Sequence, residues 1–260
     1  MKLKRILIFL LIINILALFA LYYPSIKSNI TSLTGSSISY YNKEQAIMLR
    51  AVDGDTIHAL VNGKDETIRL LGINTPEKNM PFYQEAKDFL KQYENRTIIL
   101  ERENEDKDKY NRYLRYIFYD NKNLNIELIE QGLANTYLLQ NSKYEQELLK
   151  AEQQARNNEI GIWKSSKEEC SVNDCIILIN LNDQEEYFTI KNTCNFNCNL
   201  EGWFVKDSGR NTFYLSSLNK GEEKTYFSEK DSNLKRAVWD EHDQLFMYDK
   251  QGFLVLYYEY

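Results

Sequence analysis

The chain has 260 residues, which allows one large domain or two small ones, and 43% of them are hydrophobic, enough to fill a core. Its net charge of −6 argues against a protein that binds nucleic acid through bulk positive charge. The only two histidines, His58 and His242, lie far apart in sequence, which disfavours His-rich zinc sites and catalysis by a histidine pair. Candidate chemistry therefore rests on carboxylates, arginines, lysines and tyrosines.

The N-terminal segment 1–23 predicts a single transmembrane helix. Basic residues precede an apolar run from Ile6 to Tyr23, whose length approaches the ~20 residues that span a bilayer. The basic flank places the N-terminus in the cytoplasm and the rest of the chain outside it. A cleaved signal peptide is the alternative, and either segment would export the protein. Residues 24–44 are rich in Ser, Thr and Asn and predict a flexible linker.

Segment 45–164 predicts a small barrel with helices, an α+β arrangement. Short β-rich runs predict five strands, and the pair Asn62-Gly63 indicates a hairpin between the second and the third. Apolar residues at helical spacing predict three helices. The strands are predicted at 46–50, 56–61, 66–73, 97–100 and 113–119. The helices are predicted at 81–93, 124–133 and 144–157.

Oxygen ligands gather at one predicted edge of this barrel. Asp53 and Asp55 lie in the turn before the second strand, and Asn74, Thr75 and Glu77 follow the third. Pairing of the two strands brings both ends to the same edge. Clustered oxygens of this kind suit Ca²⁺, which takes six to eight of them.

Two arginines are predicted beside these oxygens. Arg69 lies on the third strand, and Arg112 follows the polar loop 101–111. A guanidinium group matches phosphate oxygens and stabilises the extra charge that develops in phosphoryl transfer. A nearby carboxylate can orient or deprotonate the attacking water. The combination predicts hydrolysis of a phosphate ester.

Five segments, in this order and spacing, make the chain resemble the staphylococcal nuclease family. They are VDGDTI (52–57), IRLLGINTPE (68–77), DKYNRYL (108–114), IEQGLA (129–134) and a closing helix that ends near Trp163. The resemblance implies a five-stranded OB-type barrel with three helices. It also implies metal-dependent hydrolysis of DNA or RNA with little sequence preference and products that carry 3′-phosphates.

The resemblance implies a metal site made of Asp55, Asn74 and Thr75, the last through its backbone carbonyl. The implied ion is Ca²⁺. The family often has Asp where this chain has Asn74, so one ligand charge is lost and weaker binding of the metal is expected.

The resemblance also implies the catalytic residues. Glu77 would orient the water or act as the general base, and Arg69 and Arg112 would bind the phosphate. The implied contacts to the nucleotide are Lys109, Tyr110 and, by an approximate match, Tyr137.

Segment 170–260 predicts an all-β sandwich. Its β-rich runs lie at 175–182, 186–192, 199–206, 211–215, 244–248 and 253–258. The segments EYFTIKN (186–192), LEGW (200–203) and AVW (237–239) resemble the lamin-tail domain, an Ig-like sandwich. The resemblance implies an accessory, interaction or anchoring module, whose partner is not identified by the sequence. Trp203 and Trp239 are predicted to lie in its core.

All four cysteines, Cys170, Cys175, Cys194 and Cys198, lie at the start of this part. An even number in an exported protein predicts two disulfides. We expect Cys170–Cys175 and Cys194–Cys198, because each pair is close in sequence. A zinc site made of the four cysteines is the alternative.

Together these features predict a monomeric, membrane-anchored nuclease with both folded domains outside the cytoplasm. A non-catalytic surface protein is the alternative, with the barrel binding single strands or oligosaccharides and the lamin-tail-like part as adhesive module. The presence of Arg69, Glu77 and Arg112 favours the enzyme.

Overall fold

The computed structural model describes residues 42–138, 142–239 and 243–259. Residues 45–260 form one compact unit. The predicted anchor at 6–23 and most of the predicted linker lie outside the described residues. Within the described ranges, no helix combines the length and the apolar character needed to cross a bilayer.

Five strands close into a barrel. They are β1 (Lys43–Ala51), β2 (Thr56–Val61), β3 (Lys64–Leu70), β5 (Thr97–Glu101) and β6 (Tyr113–Tyr119). The first three form a meander, β1 also pairs with β5, and β5 pairs with β6. A parallel pairing of β3 with β6, in the register Arg69↔Leu114, closes the barrel. The closed barrel confirms the predicted OB-type fold.

Short strands and three helices surround the barrel. β4 (Ile73–Asn74) pairs with β8 (Asn135–Thr136), and β7 (Lys122–Asn123) pairs antiparallel with the end of β6. The helices are α1 (Tyr83–Lys91), α2 (Leu124–Glu130) and α3 (Glu145–Asn157). The side chain of Asn123 caps α2 by accepting hydrogen bonds from the backbone amides of Asn125 and Ile126. The three predicted helices are therefore present, each slightly shorter than predicted.

Two further sheets pack face to face in the C-terminal part. One contains β9 (Ile176–Asn182), β10 (Tyr187–Asn192) and β13 (Glu223–Phe227), and the other contains β11 (Phe204–Lys206), β12 (Thr212–Tyr214), β14 (Gln244–Tyr248) and β15 (Leu254–Glu259). Two short helices, α4 (Glu169–Val172) and α5 (Ser228–Asp231), flank them. Trp203 and Trp239 are buried between the sheets, as predicted.

The sequence analysis missed or misplaced two of these strands. β13 was not predicted, because its sequence EKTYF begins with charged residues that hide the alternation. β11 begins at Phe204 and not at 199, since Leu200–Trp203 form a turn in which the amide of Trp203 donates to the carbonyl of Leu200.

The predicted disulfide pairing is wrong. The structure joins Cys170 to Cys198 and Cys175 to Cys194, so the zinc alternative is also not formed. The cause is the register of β9 and β10, in which Asn192 lies opposite Ile176. That register places Cys194 beside Cys175, although 19 residues separate them in sequence.

The barrel and the sandwich share a third apolar core. Ala155, Ile162 and Trp163 from the barrel side pack with Phe204, Phe246 and Tyr248 from the sandwich. The rings of Trp163 and Phe246 lie 5.5 Å apart between centroids. Backbone hydrogen bonds reinforce the contact, because the amide of Leu254 donates to the carbonyl of Lys164 over 2.6 Å. This shared core fixes the sandwich against the end of the barrel.

Candidate active site

The turn between β1 and β2 carries Asp55 into the predicted site. A Cβ on Gly54 would lie only 2.6 Å from Cβ of Ala86 and 2.7 Å from Oγ1 of Thr75, so the close approach of this turn to α1 and to Thr75 requires glycine. The carboxylate of Asp55 is buried. Its Oδ2 atom accepts hydrogen bonds from both the amide and the hydroxyl of Thr75, each at 3.3 Å. The predicted pair Asp55 and Thr75 is thus in direct contact.

Arg69 is held in place by its neighbours on every side. Its Nη2 atom lies 3.1 Å from Oδ2 of Asp55 and donates to the carbonyl of Ile73 and to Oδ1 of Asn74. Its Nη1 atom donates to the carbonyl of Leu70. The side chain is 10% exposed, so this cation is a fixed part of the site.

Arg112 reaches the same site from the loop before β6. Its Nε atom donates to Oδ2 of Asp108 over 2.7 Å, and its Nη1 atom lies 3.5 Å from the hydroxyl of Thr56. That hydroxyl in turn donates to Oδ1 of Asp55. A chain of polar contacts therefore connects Arg112 through Thr56 and Asp55 to Arg69.

Asp108 organises the loop that carries Arg112. Its Oδ1 atom accepts hydrogen bonds from the amides of Tyr110 and Arg112. Burial alone would raise the pKa of Asp108. These hydrogen bonds and the guanidinium of Arg112 outweigh burial and hold the pKa below its usual value. The charged carboxylate is the form that anchors the arginine.

Two aspartates lie together in the turn, where the amide of Asp55 donates to Oδ1 of Asp53 over 3.1 Å. Burial, and after it the charge of Asp55, raises the pKa of Asp53 above its usual value. A bound cation would offset the repulsion between the two charges, so the pair Asp53 and Asp55 fits a divalent metal. Asn74 is engaged differently. Its oxygen faces Arg69, and its amide nitrogen donates to the carbonyl of Gly209 over 2.8 Å.

Glu77 lies close by, at the start of the segment that follows β4. Its side chain is 48% exposed, and its Oε1 atom lies 2.9 Å from Nε of Arg210. Arg210 belongs to the loop 207–211 between β11 and β12, which we call the sandwich loop. The sandwich therefore contributes to the surroundings of a residue that the sequence assigns to the barrel.

The three predicted nucleotide-binding residues lie at the rim. Lys109 and Tyr110 occupy the loop of Arg112, with Nζ of Lys109 5.3 Å from the centroid of the Tyr110 ring. Both are exposed. Tyr137 follows β8, and its amide donates to the carbonyl of Gly72 while its side chain is 47% exposed.

Three residues that the structure places here were not predicted from the sequence: Thr56, Asp108 and Arg210. The first two lie inside the motifs VDGDTI and DKYNRYL, so the motifs themselves carried the signal. Arg210 had no such signal, because only the folding of the sandwich brings it to Glu77.

Comparison with known proteins agrees with this geometry. The family described as staphylococcal nuclease homologue matches residues 67–165. An uncharacterized protein of Methanocaldococcus jannaschii is 36% identical over 168 residues, which cover 54% of this chain and 79% of that protein. The thermonuclease of Staphylococcus hyicus is 31% identical over 138 residues, which cover 50% of this chain and 82% of the thermonuclease.

Endonuclease YncB of Bacillus subtilis is 35% identical over 127 residues, which cover 45% of this chain and 60% of the endonuclease. The matches lie over about half of this chain, and they take in most of the length of the first two relatives. On the closed barrel, the matched segment and these relatives, the chain belongs to the staphylococcal nuclease homologue family.

Proposed function

We propose that this chain is a Ca²⁺-dependent nuclease that works outside the cytoplasm and hydrolyses DNA or RNA with little sequence preference. Membership of the family makes the chain a nuclease, a hydrolase of phosphodiester bonds. The observation that carries the finer proposal is the chain of contacts from Arg69 through Asp55 and Thr56 to Arg112. It sets two guanidinium groups around one buried carboxylate.

The two arginines have different parts in the proposed reaction. Arg69 is fully engaged by protein oxygens and supplies a fixed positive field beside Asp55. Arg112 is anchored through Nε, and its side chain is 20% exposed, so its outer edge can take a phosphate oxygen. The charge that develops on the phosphoryl group is stabilised most by donors that are already in place.

Glu77 is the proposed acceptor of the proton of the attacking water. It is exposed, and one of its oxygens is held by Arg210, which leaves the other for the water. Asp55, with Asp53 beside it and the carbonyl of Thr75, would hold the Ca²⁺. When bound, Ca²⁺ supplies positive charge that polarises the phosphate.

We also propose that the protein is located outside the cytoplasm and is attached to the membrane. Both proposals rest on the basic flank and apolar run of residues 1–23, and the two disulfides support them, because such bonds persist mainly in oxidising compartments. We further propose that the chain is a monomer and that the sandwich is a lamin-tail-like module with a partner of its own.

The direct test is hydrolysis of DNA and RNA by the purified full chain, with Ca²⁺ and with a chelator. Glu77→Gln is expected to lower the turnover by about 10²–10⁴-fold, the usual contribution of a general base. Glu185→Gln, in the exposed turn between β9 and β10, is the matched control and is expected to change nothing. Turnover that persists in the chelator would contradict the role of the metal.

A further inference from the structure

The sandwich loop 207–211 is rigidly built. The amide and the side-chain amide of Asn211 both donate to the carboxylate of Asp207, and the amide of Ser208 donates to Oδ1 of Asp243. The flanking strands β11 and β12 pair in register, with Lys206 opposite Thr212. The conformation of the loop is therefore set by the sandwich itself.

This loop is docked on the barrel at the edge that carries the candidate active site. The carbonyls of Ser208 and Gly209 accept hydrogen bonds from the side-chain amides of Asn135 and Asn74, at 3.1 and 2.8 Å. Nζ of Lys206 donates to Oδ1 of Asn135 over 3.0 Å. Because β4 and β8 carry both asparagines, the loop rests on the two strands beside Asp55 and Arg69.

Arg210 extends from this docked loop into a cleft between the barrel and the sandwich, which Thr75, Pro76 and Glu77 also line. The Nε atom of Arg210 forms an ion pair with Oε1 of Glu77 at 2.9 Å, and the side chain of Arg210 is 43% exposed. Among the described residues, none accepts a hydrogen bond from Nη1 or Nη2 of Arg210. Within the described ranges, the guanidinium is therefore engaged along its Nε edge, while much of the side chain is exposed.

We propose that Arg210 is a further substrate-binding residue, supplied by the sandwich, which binds a backbone phosphate of the nucleic-acid strand next to the phosphate that is cleaved. The inference rests on the proposed function. The Nη groups of an exposed guanidinium match two phosphate oxygens. An ion pair as exposed as that of Arg210 with Glu77 contributes little stability, so a phosphate can displace or share it at small cost.

Substrate binding through Arg210 has a measurable consequence in salt. Each phosphate contact to a single strand contributes about 0.7 to the slope of log affinity against log salt concentration. We therefore propose to measure binding of a short single-stranded oligodeoxynucleotide to the full chain by fluorescence anisotropy, from about 50 to 200 mM salt. A chelator in the buffer prevents hydrolysis during the measurement.

Three variants separate a phosphate contact from a general loss of charge. Arg210→Ala is expected to weaken binding about tenfold and to reduce the slope by about 0.7. Arg210→Lys is expected to keep the slope but to bind more weakly than the wild type, because lysine cannot form the fork. Arg96→Ala is the matched control, because Arg96 is also an exposed arginine. It lies just before β5, at the end of the β5–β6 pair that is far from the loop of Arg112, and its removal is expected to leave the slope unchanged.

Two results would overturn the inference. One is a slope for Arg210→Ala equal to that of the wild type. The other is tighter binding or faster hydrolysis by this variant, which is the result expected if Arg210 only blocked the cleft. Hydrolysis by the wild type with Ca²⁺ is measured in parallel. An active wild type with an unchanged Arg210→Ala slope rejects this inference alone, whereas a wild type that neither binds nor cleaves the strand rejects the proposed function as well.

Discussion

Arg112 shows how a single side chain is prepared for its role. Asp108 fixes the Nε edge, Tyr110 lies under the guanidinium at 5.5 Å from ring centroid to Cζ, and Thr56 connects the group to Asp55. The orientation of the guanidinium is therefore set before substrate arrives. Such preorganisation favours the transition state, because no reordering is needed when charge develops.

Arg112→Ala is expected to lower the turnover by at least about 10²-fold while the protein stays folded. Arg112→Lys is also expected to be poor, since a point charge cannot replace the planar fork. Steady-state hydrolysis of DNA, with thermal unfolding as the check on folding and Arg96→Ala as control, measures both. Near-normal turnover of the lysine variant would show that Arg112 does not bind the transferring phosphoryl group.

Asp207 in the sandwich loop makes the stability depend on pH. Burial raises its pKa from 3.8 to about 6. Because the folded state holds the proton more tightly than the unfolded state, this group stabilises the fold fully below about pH 4. Its contribution, on the order of 2–3 kcal/mol, is lost as the pH rises from about 4 to 6.

Urea unfolding of the wild type and of Asp207→Asn across this range tests the effect. The wild type is expected to lose more unfolding free energy between pH 4 and 6 than the variant, by on the order of 2 kcal/mol. Asp174→Asn, at an exposed turn, is expected to behave as the wild type. Parallel curves for the wild type and Asp207→Asn would remove Asp207 as the cause.

The disulfides act at the scale of secondary-structure elements. Cys170–Cys198 ties α4 to the segment before β11, and Cys175–Cys194 joins the start of β9 to the end of β10. The two bonds join cysteines that are 28 and 19 positions apart, much farther than the five and four positions of the predicted pairing. A bond that closes a longer loop restricts the unfolded chain more, so each bond is expected to contribute more to the free energy of unfolding than the predicted pairing would.

Replacing both cysteines of one bond by serine is expected to lower the unfolding free energy by about 3–4 kcal/mol, on the chain-entropy account. Urea unfolding of the Cys170→Ser/Cys198→Ser and Cys175→Ser/Cys194→Ser proteins measures the loss. Thiol counting on the unreduced, unfolded wild type is expected to find no free thiols. A count of four would contradict both bonds.

The same elements show what the sequence could and could not predict. The barrel strands were predictable, because the alternation in β2, the aromatic-rich run of β6 and the Asn62-Gly63 turn are local signals. The cluster around Asp55 was predictable from motif order. The disulfide pairing was not, because it depends on the register of β9 with β10.

Asn74 also shows which properties of a residue can be predicted from the sequence and which depend on distant parts of the chain. The sequence identified it as a departure from the usual Asp. Only the structure shows its amide donating to Gly209, a bond that a carboxylate could not make. The placement of Arg210 likewise depends on contacts between residues 133 positions apart, for which no periodicity exists.

At the scale of the whole molecule, the barrel and the sandwich depend on each other. Trp163 is 1% exposed, and its neighbours Phe246 and Tyr257 both belong to the sandwich. Removing the sandwich would expose this ring and its apolar surroundings to water. We therefore expect the two parts to unfold together, in a single thermal transition.

Trp163→Ala is expected to cost about 3–5 kcal/mol and to separate the melting of the two parts. Differential scanning calorimetry distinguishes one transition in the wild type from two in the variant. Trp203→Ala, a buried tryptophan inside the sandwich, is the matched control. It is expected to lower the melting temperature without separating the transitions. Two transitions in the wild type would show that the shared core does not couple the parts.

The shared core also limits how this protein could change through recombination between genes. A domain joined by a loose tether can be exchanged for another by a crossover in the tether. Here a crossover after residue 164 would have to bring replacements for Phe204, Phe246 and Tyr248, and also a loop that fits Asn74 and Asn135. We therefore expect that the sandwich can be exchanged only together with the residues that make these contacts.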